Sequence, residues 1–338
     1  MNVPNSSLEG THFPVMLSEV INICNPKAGG NFIDCTFGGG GYTKELLSFP
    51  NTNIIALDRD NFVRNIANKI KKQFLKRFLF YNEKFSNLDK IICKEKKYDA
   101  VIFDLGLSSF QLRDMSRGFS FKAQEKIDMC MGLSKLSAEK IINNCDENTL
   151  KLIIKILGEE KEAGKIVKNI VKIRKTKKIT KVDELVKIIE SSKKKNFTNK
   201  INVCTKTFQA LRIFVNKEIT ELIEGIIKAT KYLKPGGKII VISFHSIEDK
   251  IVKFYFSQYS KDKSKPSRYL PENETRDIIF FEKYRNKLLT PSKEEILENP
   301  PSRSAKLRFV VRNNEQFSEP LNLKIKFKKY LDLERENV

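Results

Sequence analysis

Residues 30–42 read Gly-Asn-Phe-Ile-Asp-Cys-Thr-Phe-Gly-Gly-Gly-Gly-Tyr, and this stretch decides the fold. A short apolar run that contains one acid, Asp34, breaks into four glycines, Gly38 to Gly41, and a helical pattern begins at about Thr43. A strand, a glycine-rich turn and a helix in that order place backbone N–H groups at the carboxyl edge of a sheet. Glycine suits the turn because it tolerates positive φ and lets a ligand approach the bare backbone. The glycine spacing is not that of a Walker P-loop.

The next apolar run ends in an acid that suits a ribose. Asn53-Ile54-Ile55-Ala56-Leu57-Asp58 places Asp58 seventeen residues after Gly41. An acid at the tip of the second strand can accept both hydrogen bonds of a ribose diol. NAD has such a ribose, but its fingerprint needs a different glycine spacing, whereas S-adenosyl-L-methionine has a ribose and no phosphates. We therefore expect S-adenosyl-L-methionine as the cofactor. The alternative is an ordinary βαβ unit whose aspartate caps a helix.

Composition and charge indicate a globular chain with a polyanionic partner. The 338 residues are 40% hydrophobic, which suits one large or two modest domains. Lys and Arg number 63 against 41 Asp and Glu, a net charge of +22, so nucleic acid is the first candidate partner. The alternative is a lysine-rich surface without a partner, because solvated lysines cost little.

Cysteine and histidine usage argues against a metal site. No two of the six cysteines form a C-x-x-C pair, and the chain has two histidines, so we expect no metal. No apolar run approaches the ~18 residues of a membrane span, and residues 1–10 lack the features of an export signal. We expect a cytoplasmic protein without membrane contact. The sequence leaves open whether it is a monomer or a homodimer.

Strand-like runs alternate with helical segments, a pattern typical of a doubly wound parallel sheet. Two further runs, 277–282 and 305–312, could form a closing antiparallel hairpin. One long helix is predicted at about 207–233, ended by Lys234-Pro235-Gly236-Gly237. The five strand runs of the parallel part are 31–36, 53–58, 78–82, 98–104 and 238–244.

The gap between the fourth and fifth runs is too long for one crossover helix. Residues 133–200 are polar and helical in pattern, and residues 151–200 contain sixteen Lys or Arg against six Asp or Glu. We expect an all-helical basic insertion, residues 131–204, within a discontinuous α/β domain formed by residues 1–130 and 205–338. The insertion would be a phosphate-contacting arm for RNA or a soluble lysine surface.

Two further segments bring polar side chains to the expected ligand edge. The fourth run ends in Asp104, which is followed by Leu105-Gly106-Leu107-Ser108-Ser109, and an acid there faces the crevice where a ligand lies. The fifth run leads into Ser243-Phe244-His245, so His245 would share that rim with Asp104.

These segments, with others in the same order, are similar to the RsmH (MraW) family of bacterial 16S rRNA cytosine-N4 methyltransferases. The resemblance implies a class I methyltransferase fold, Rossmann-like, with a mostly parallel seven-stranded sheet that ends in an antiparallel hairpin. It also implies transfer of a methyl group from S-adenosyl-L-methionine to the exocyclic N4 of cytidine 1402 in 16S rRNA of the small ribosomal subunit. The matching segments are His12 to Met16, Asp34 to Gly41, Ala56 to Asp60, Phe103 to Ser109, Arg117 to Phe121, Gly158 to Glu160, Thr207 to Ile213, Ser243 to Ser246 and Asn299 to Arg308.

The resemblance implies which residues contact the cofactor. They lie in the glycine turn, at the tips of the second and fourth strands, and in the Lys84-Phe85-Ser86 segment. They are Gly40, Gly41, Tyr42, Asp58, Phe85, Asp104 and Gln111.

Three positions depart from the family pattern. Tyr42 stands where the family has His, so a backbone contact would survive but a side-chain role of the histidine would not. Phe110 replaces the proline before Gln111, which loosens that turn. Cys130 replaces an arginine near the cleft, which removes a positive charge there.

Methylation of an exocyclic amine defines the catalytic candidates. Cytosine N4 is a poor nucleophile because its lone pair is delocalised, so the protein must align N4 with the methyl group and accept a proton. The Asp/Asn/Ser-Pro-Pro-aromatic motif of DNA amino-methyltransferases is absent. The candidates are Asp104, Ser108 and His245; alternatively, His245 caps the next helix or braces the fifth strand. Phe119 and Phe121 would stack on a base splayed out of the rRNA, or are core aromatics.

Two other functions stay open at this point. The chain would methylate an amino group of another RNA or of DNA, or it would be a non-catalytic RNA-binding assembly factor that kept the fold. Methylation assays on small subunits, intact ribosomes and DNA distinguish the first alternative from methylation of 16S rRNA. Cofactor binding without methyl transfer would indicate the second.

Overall fold

The computed structural model describes residues 14–93, 95, 97–134, 136–193, 202–261, 278–285 and 288–336. Within them, one sheet contains the strands β1 (Gly30–Asp34), β2 (Thr52–Leu57), β3 (Phe78–Tyr81), β4 (Tyr98–Asp104), β5 (Leu233–Ser243) and β6 (Lys306–Val311). They lie in the order β3-β2-β1-β4-β5-β6. β1 to β5 are parallel, and β6 is antiparallel to β5. The predicted mostly parallel α/β sheet with an antiparallel C-terminal pair is confirmed.

The sheet has six strands in the described part of the chain, whereas the resemblance implies seven. The expected partner of β6 at 277–282 does not form a strand, and residue 277 lies outside the described residues. Phe281 makes only single bridges, parallel to Ser260 and antiparallel to Arg312. Its fully buried ring packs among other aromatic rings. Side-chain packing and single backbone bonds, such as that from Glu282 N–H to the Val311 carbonyl at 2.9 Å, therefore hold this segment where the prediction placed a continuous ladder.

Helices connect the strands and cover the sheet. Before β4 they are α1 (Leu17–Cys24), α2 (Gly41–Ser48), α3 (Arg64–Gln73) and α4 (Leu88–Ile91). Between β4 and β5 they are α5 (Ser109–Arg113), α6 (Ala138–Asn144), α7 (Glu147–Leu157), α8 (Ala163–Arg174), α9 (Val182–Ser192), α10 (Thr205–Asn216) and α11 (Glu218–Tyr232). After β5 they are α12 (Ser246–Gln258), α13 (Lys293–Glu298), α14 (Leu321–Lys326) and α15 (Lys328–Arg335). None of these helices is long and apolar enough to cross a membrane.

Alternate residues of the central strands contribute to two apolar cores. In β1, the side chains of Phe32 and Ile33 belong to different cores because successive strand residues point to opposite faces. The core that contains Phe32 includes α1, α2 and α3. The core that contains Ile33 continues through α6 to α9, so these four helices share one apolar core with the sheet. The limits of the insertion, residues 131–204, stay a prediction.

The long helix predicted at about 207–233 is wrong, because two helices occupy this range. α10 ends at Asn216 and α11 begins at Glu218, and Lys217 between them is left-handed, with φ 51° and ψ 44°. The first backbone N–H groups of α11 find their hydrogen-bond acceptor far along the chain. The buried Glu334 carboxylate accepts from the N–H groups of Ile219 at 3.0 Å and Thr220 at 2.8 Å. Apolar periodicity does not reveal such a cap.

Candidate active site

A cavity of about 430 Å³ opens where β1, β2 and β4 end. That volume lies within the range of small-molecule sites, and the carboxyl edge of a parallel sheet is where such sites occur. The glycine turn, the ends of β2 and β4, the segment after β3, α5 and α11 all contribute to its wall. The predicted residues that line it are Asp58, Phe85, Asp104, Ser108 and Gln111.

Asp58 holds the glycine turn and faces the cavity. Its Oδ2 accepts from the backbone N–H of Gly38 at 2.8 Å, and its Oδ1 accepts from the N–H of Asp60 at 2.8 Å. Burial raises the pKa of Asp58 to about 6. The carboxylate is therefore aimed by two backbone bonds, and its remaining lone pairs are available for hydroxyl donors in the cavity.

Asp60 is a site residue that the sequence reasoning missed. Its Oδ2 accepts from Gln111 Nε2 at 2.8 Å and from the Arg117 guanidinium at 2.6 Å. Ser108 and Gln111 also form a reciprocal capping box at the start of α5, with bonds of 3.3 and 3.0 Å. Both polar atoms of the Gln111 side-chain amide are thus hydrogen-bonded, which offsets the loosening expected from Phe110. Its position two residues after Asp58 could have indicated from the sequence that Asp60 belongs to the site.

Phe85 can lie in the cavity wall because α11 has a glycine where it meets the phenyl ring. The ring stands edge-on to Phe103, with centroids 5.4 Å apart. On its other side lies Gly225 of α11, where a Cβ would stand 2.5 Å from Phe85 Cδ2. Any larger residue at Gly225 would displace the ring.

The rest of the glycine turn lies beside the cavity, with only Gly38 among its lining residues. Gly40 adopts φ 73° at the start of α2. A Cβ on Gly41 would stand 2.6 Å from Pro14 Cγ, so Pro14 packs directly on this backbone. The turn needs glycine here for a contact with its own chain, and contact of Gly40, Gly41 and Tyr42 with the cofactor stays a prediction.

Tyr42 and Asp104 meet behind the cavity wall. Tyr42 is 3% exposed, and its hydroxyl donates to the Val15 carbonyl at 2.5 Å and lies 3.2 Å from Asp104 Oδ2. Asp104 Oδ1 is buried and has no hydrogen-bond partner among the described residues. The pKa of Asp104 is raised to about 8, chiefly by burial and also by the nearby carboxylates Asp34 and Glu248, while the hydrogen bond from Tyr42 lowers it. Asp104 Oδ1 therefore lacks a donor among the described residues, and Asp104 borders the cavity.

A second cavity, of about 160 Å³, adjoins the first, and Leu107 and Phe244 line both. Its walls are mostly apolar, with a polar side formed by α10 and the end of β5. Its other lining residues are Phe119, Phe121, Met129, Thr205, Phe208, Gln209, Arg212 and His245.

His245 lines the second cavity and also caps α12. Its Nδ1 accepts a long bond, 3.5 Å, from the backbone N–H of Glu248. In return Glu248 Oε2 accepts from the N–H groups of Phe244 at 2.9 Å and His245 at 3.3 Å. The capping role that was the alternative for His245 is present, and the imidazole also lines the second cavity.

The same corner contains a cluster of possible metal ligands. Glu218, His245 and Glu248 each offer one ligand atom, and these atoms lie within 4.8 Å of one another. However, the Arg212 guanidinium donates to both Glu218 oxygens at 2.9 Å and already supplies a positive charge. Nothing in this cluster calls for a cation, and the expected absence of a metal stays a prediction.

Comparisons with known proteins agree with this geometry. The model of the MraW methylase family matches residues 9–313. The ribosomal RNA small subunit methyltransferase H of Ehrlichia canis is 40% identical over 304 residues, covering 89% of this chain and 99% of its own length. The protein of the same name from Orientia tsutsugamushi is 38% identical over 314 residues, covering 91% of this chain and 100% of its own.

Likeness to solved structures is looser. An rRNA methylase from Streptococcus thermophilus aligns with a TM-score of 0.41 and 9% identity, over 90% of this chain and 100% of that one. A putative methyltransferase from Streptococcus mutans in complex with SAH has a TM-score of 0.39 and 10% identity, over 89% and 99%. Because these TM-scores are low, the description of the fold relies on the strand order of this chain and not on the solved structures.

Proposed function

Since the chain belongs to the MraW methylase family and uses S-adenosyl-L-methionine, we propose that it methylates the exocyclic N4 of a cytidine, cytidine 1402, in 16S rRNA. The named relatives act on ribosomal RNA of the small subunit, and they match most of this chain. The observation that supports a base as substrate is the second cavity, which adjoins the larger cavity at Leu107 and Phe244.

The second cavity suits one unstacked pyrimidine. An apolar cavity of roughly 150 Å³ holds a benzene ring, and this one measures about 160 Å³. Phe121 and Phe208 stand edge-on, with centroids 6.3 Å apart, and Phe119 lies under the Arg117 guanidinium at 5.2 Å. Enzymes that modify a base inside folded RNA take it out of the stack and hold it between such rings. The volume and the aromatic walls of the cavity therefore suit an uncharged base better than a charged side chain.

The larger cavity fits S-adenosyl-L-methionine by the chemistry of its donors and acceptors. Asp58 would accept the two ribose hydroxyls, and Phe85 would lie against the adenine. Asp104 Oδ1, buried without a partner among the described residues, would accept from the α-ammonium group. When bound, the cofactor supplies an electrophilic methyl group on a positively charged sulfur.

The chain's own residues then align the amine and remove its proton. Aromatic side chains of the second cavity would hold the base so that its amine points past Leu107 and Phe244 toward the first cavity. Acceptors near that opening would bond the amine hydrogens and favour a pyramidal nitrogen. We propose Asp104, Ser108 and His245 for this task. Of the three, His245 faces the second cavity and the other two face the first.

The insertion offers one row of exposed lysines to the RNA. Lys168, Lys172 and Lys175 lie along the exposed face of α8 and just after it, spaced as neighbours on a helix. Lys193 is unsuited, because it pairs with the buried Glu160 at 2.6 Å. We propose that the α8 row contacts phosphates. A cytoplasmic location follows from this substrate and stays part of the proposal.

Reversing the charge of the α8 row is expected to weaken methylation of rRNA and leave cofactor affinity unchanged. In Lys168→Glu/Lys172→Glu/Lys175→Glu, KM for small subunits should rise at least tenfold, and the dependence on salt should become shallower. The same change at Lys69, Lys72 and Lys76, exposed on and after α3 at intervals of three and four residues, serves as the control. Equal losses in both variants would mean that general charge and not this row attracts the RNA.

The identity of the target is tested by mapping methyl groups. Small subunits lacking the modification are incubated with enzyme and cofactor, and the rRNA is digested and analysed by mass spectrometry. We expect one new methyl group on the N4 of a single cytidine. Methylation of another base, of the ribose or of DNA alone would contradict the proposal, and so would cofactor binding without any transfer.

A further inference from the structure

We infer that binding of the cofactor to this chain expels a proton from Asp104, because its neighbour Tyr42 is a neutral phenol and gives that carboxyl no cationic partner. The inference rests on the proposed placement of S-adenosyl-L-methionine against Asp104. It assigns to position 42 a role in deciding when Asp104 becomes charged.

The hydroxyl of Tyr42 has a single hydrogen and two acceptors within reach. The Val15 carbonyl oxygen lies 2.5 Å away and can only accept, whereas Asp104 Oδ2 lies at 3.2 Å. The hydrogen is therefore committed mainly to Val15. A charged Asp104 accepts from the phenol, which lowers its pKa, and a protonated Asp104 can donate to the phenolic oxygen instead. The contact does not require a carboxylate.

The groups that face Asp104 from the surrounding elements are acids and a phenol. β1 contributes Asp34, α2 contributes Tyr42, α12 contributes Glu248 and α13 contributes Glu295. β5, paired with it at Ile242, adds no charge. Among the described residues no Lys, Arg or His forms an ion pair with Asp104, whose Oδ1 is buried without a hydrogen bond.

Protonation follows from these surroundings. Burial raises the pKa of Asp104, the hydrogen bond from Tyr42 lowers it, and the neighbouring carboxylates raise it, so that it stands at about 8. At pH 7 the acid form would then exceed the carboxylate by about ten to one. A ligand cation within about 4–6 Å reverses this balance. The O–H bond of the acid breaks, the carboxylate pairs with the ligand ammonium, and the proton passes to the buffer.

A histidine at position 42 would change the free protein. An imidazolium beside Asp104 would pair with it before any ligand arrives, and no proton would remain to be released on binding. Burial and the adjacent Asp104 raise the pKa of Tyr42 well above its usual value, so the phenol stays neutral and cannot substitute. Cofactor affinity of this chain should accordingly increase up to tenfold per pH unit between about pH 6 and 8 and level off above.

The test is isothermal titration calorimetry with S-adenosylhomocysteine, which has the ammonium but does not react. Titrations at pH 7 in phosphate and in Tris, which differ in protonation enthalpy, give the number of protons released. We expect close to one for the natural chain and for Tyr42→Phe, and markedly fewer for Tyr42→His and Asp104→Asn. Melting curves check that each variant is folded.

The outcomes separate this inference from the proposed function. Binding to the natural chain without proton release, or with an affinity independent of pH between 6 and 8, overturns the inference alone. So does Tyr42→His that releases as many protons as the natural chain. Failure of the natural chain to bind the ligand would overturn the cofactor placement, and the inference with it.

Discussion

Asp58→Ala is expected to weaken binding of S-adenosyl-L-methionine by roughly 10- to 150-fold. The substitution removes the acceptor proposed for the ribose diol, and charge-assisted hydrogen bonds contribute about 1.5–3 kcal/mol. It also frees the N–H groups of Gly38 and Asp60, which Asp58 now binds at 2.8 Å each, so the turn loses its anchor. Calorimetric titration of the cofactor into the variant measures the effect.

Asp99→Ala is the matched control for that experiment. Asp99 also accepts from a backbone N–H, that of Asn31 at 2.8 Å, but it lies at the opposite end of β4 from the cavity. We expect a small loss of thermal stability and an unchanged dissociation constant. If the two variants bind the cofactor equally well, Asp58 does not hold the ribose and its role is confined to the turn.

His245→Ala is expected to lower the rate of methyl transfer by roughly 10²-fold, with cofactor affinity unchanged. An acceptor beside the target amine contributes on this scale, and the imidazole lines the second cavity, away from the proposed cofactor residues. Single-turnover rates on small subunits, measured at saturating cofactor, report the loss directly.

The same substitution removes the cap of α12. The control is therefore a capping residue that lies outside the proposed site. Asp146 caps α7 and accepts from the N–H groups of Asn148 and Thr149 at 3.0 Å. Asp146→Ala should cost about 1 kcal/mol of stability and leave the rate within a few-fold of normal. If His245→Ala lowers the melting temperature while its folded fraction turns over normally, His245 is a structural cap and the catalytic proposal is wrong.

Short sequence patterns predicted those parts of the site that follow from the order of strands and helices along the chain. Strand, turn and helix in succession place the end of β1 at one sheet edge, and parallel pairing brings the ends of β2 and β4 beside it. Asp58 and Asp104 could therefore be assigned to one crevice, and both line the same cavity. The cofactor follows from the same reasoning, since a ribose-binding acid after a turn unsuited to phosphates leaves few candidates.

Contacts between distant segments were beyond such patterns. The packing of Pro14 on Gly41, the bond between Tyr42 and Val15, and the cap that Glu334 places on α11 join residues that no periodicity relates. The break between α10 and α11 is of the same kind, because the apolar stripe continues across it while the backbone does not.

The sequence by itself determined the parallel sheet, its ligand edge, the acids at the strand ends and the kind of cofactor, because these depend on side-chain period and strand order. Only the tertiary structure decided that the sheet has six described strands, that a base-sized cavity adjoins the larger one, and that His245 both caps a helix and faces that cavity. In the described part of the chain it also left Asp104 Oδ1 without a hydrogen-bond partner. Cavities and buried charges arise from the packing of elements far apart in the chain, where each group's free energy depends on neighbours that only the folded state brings together.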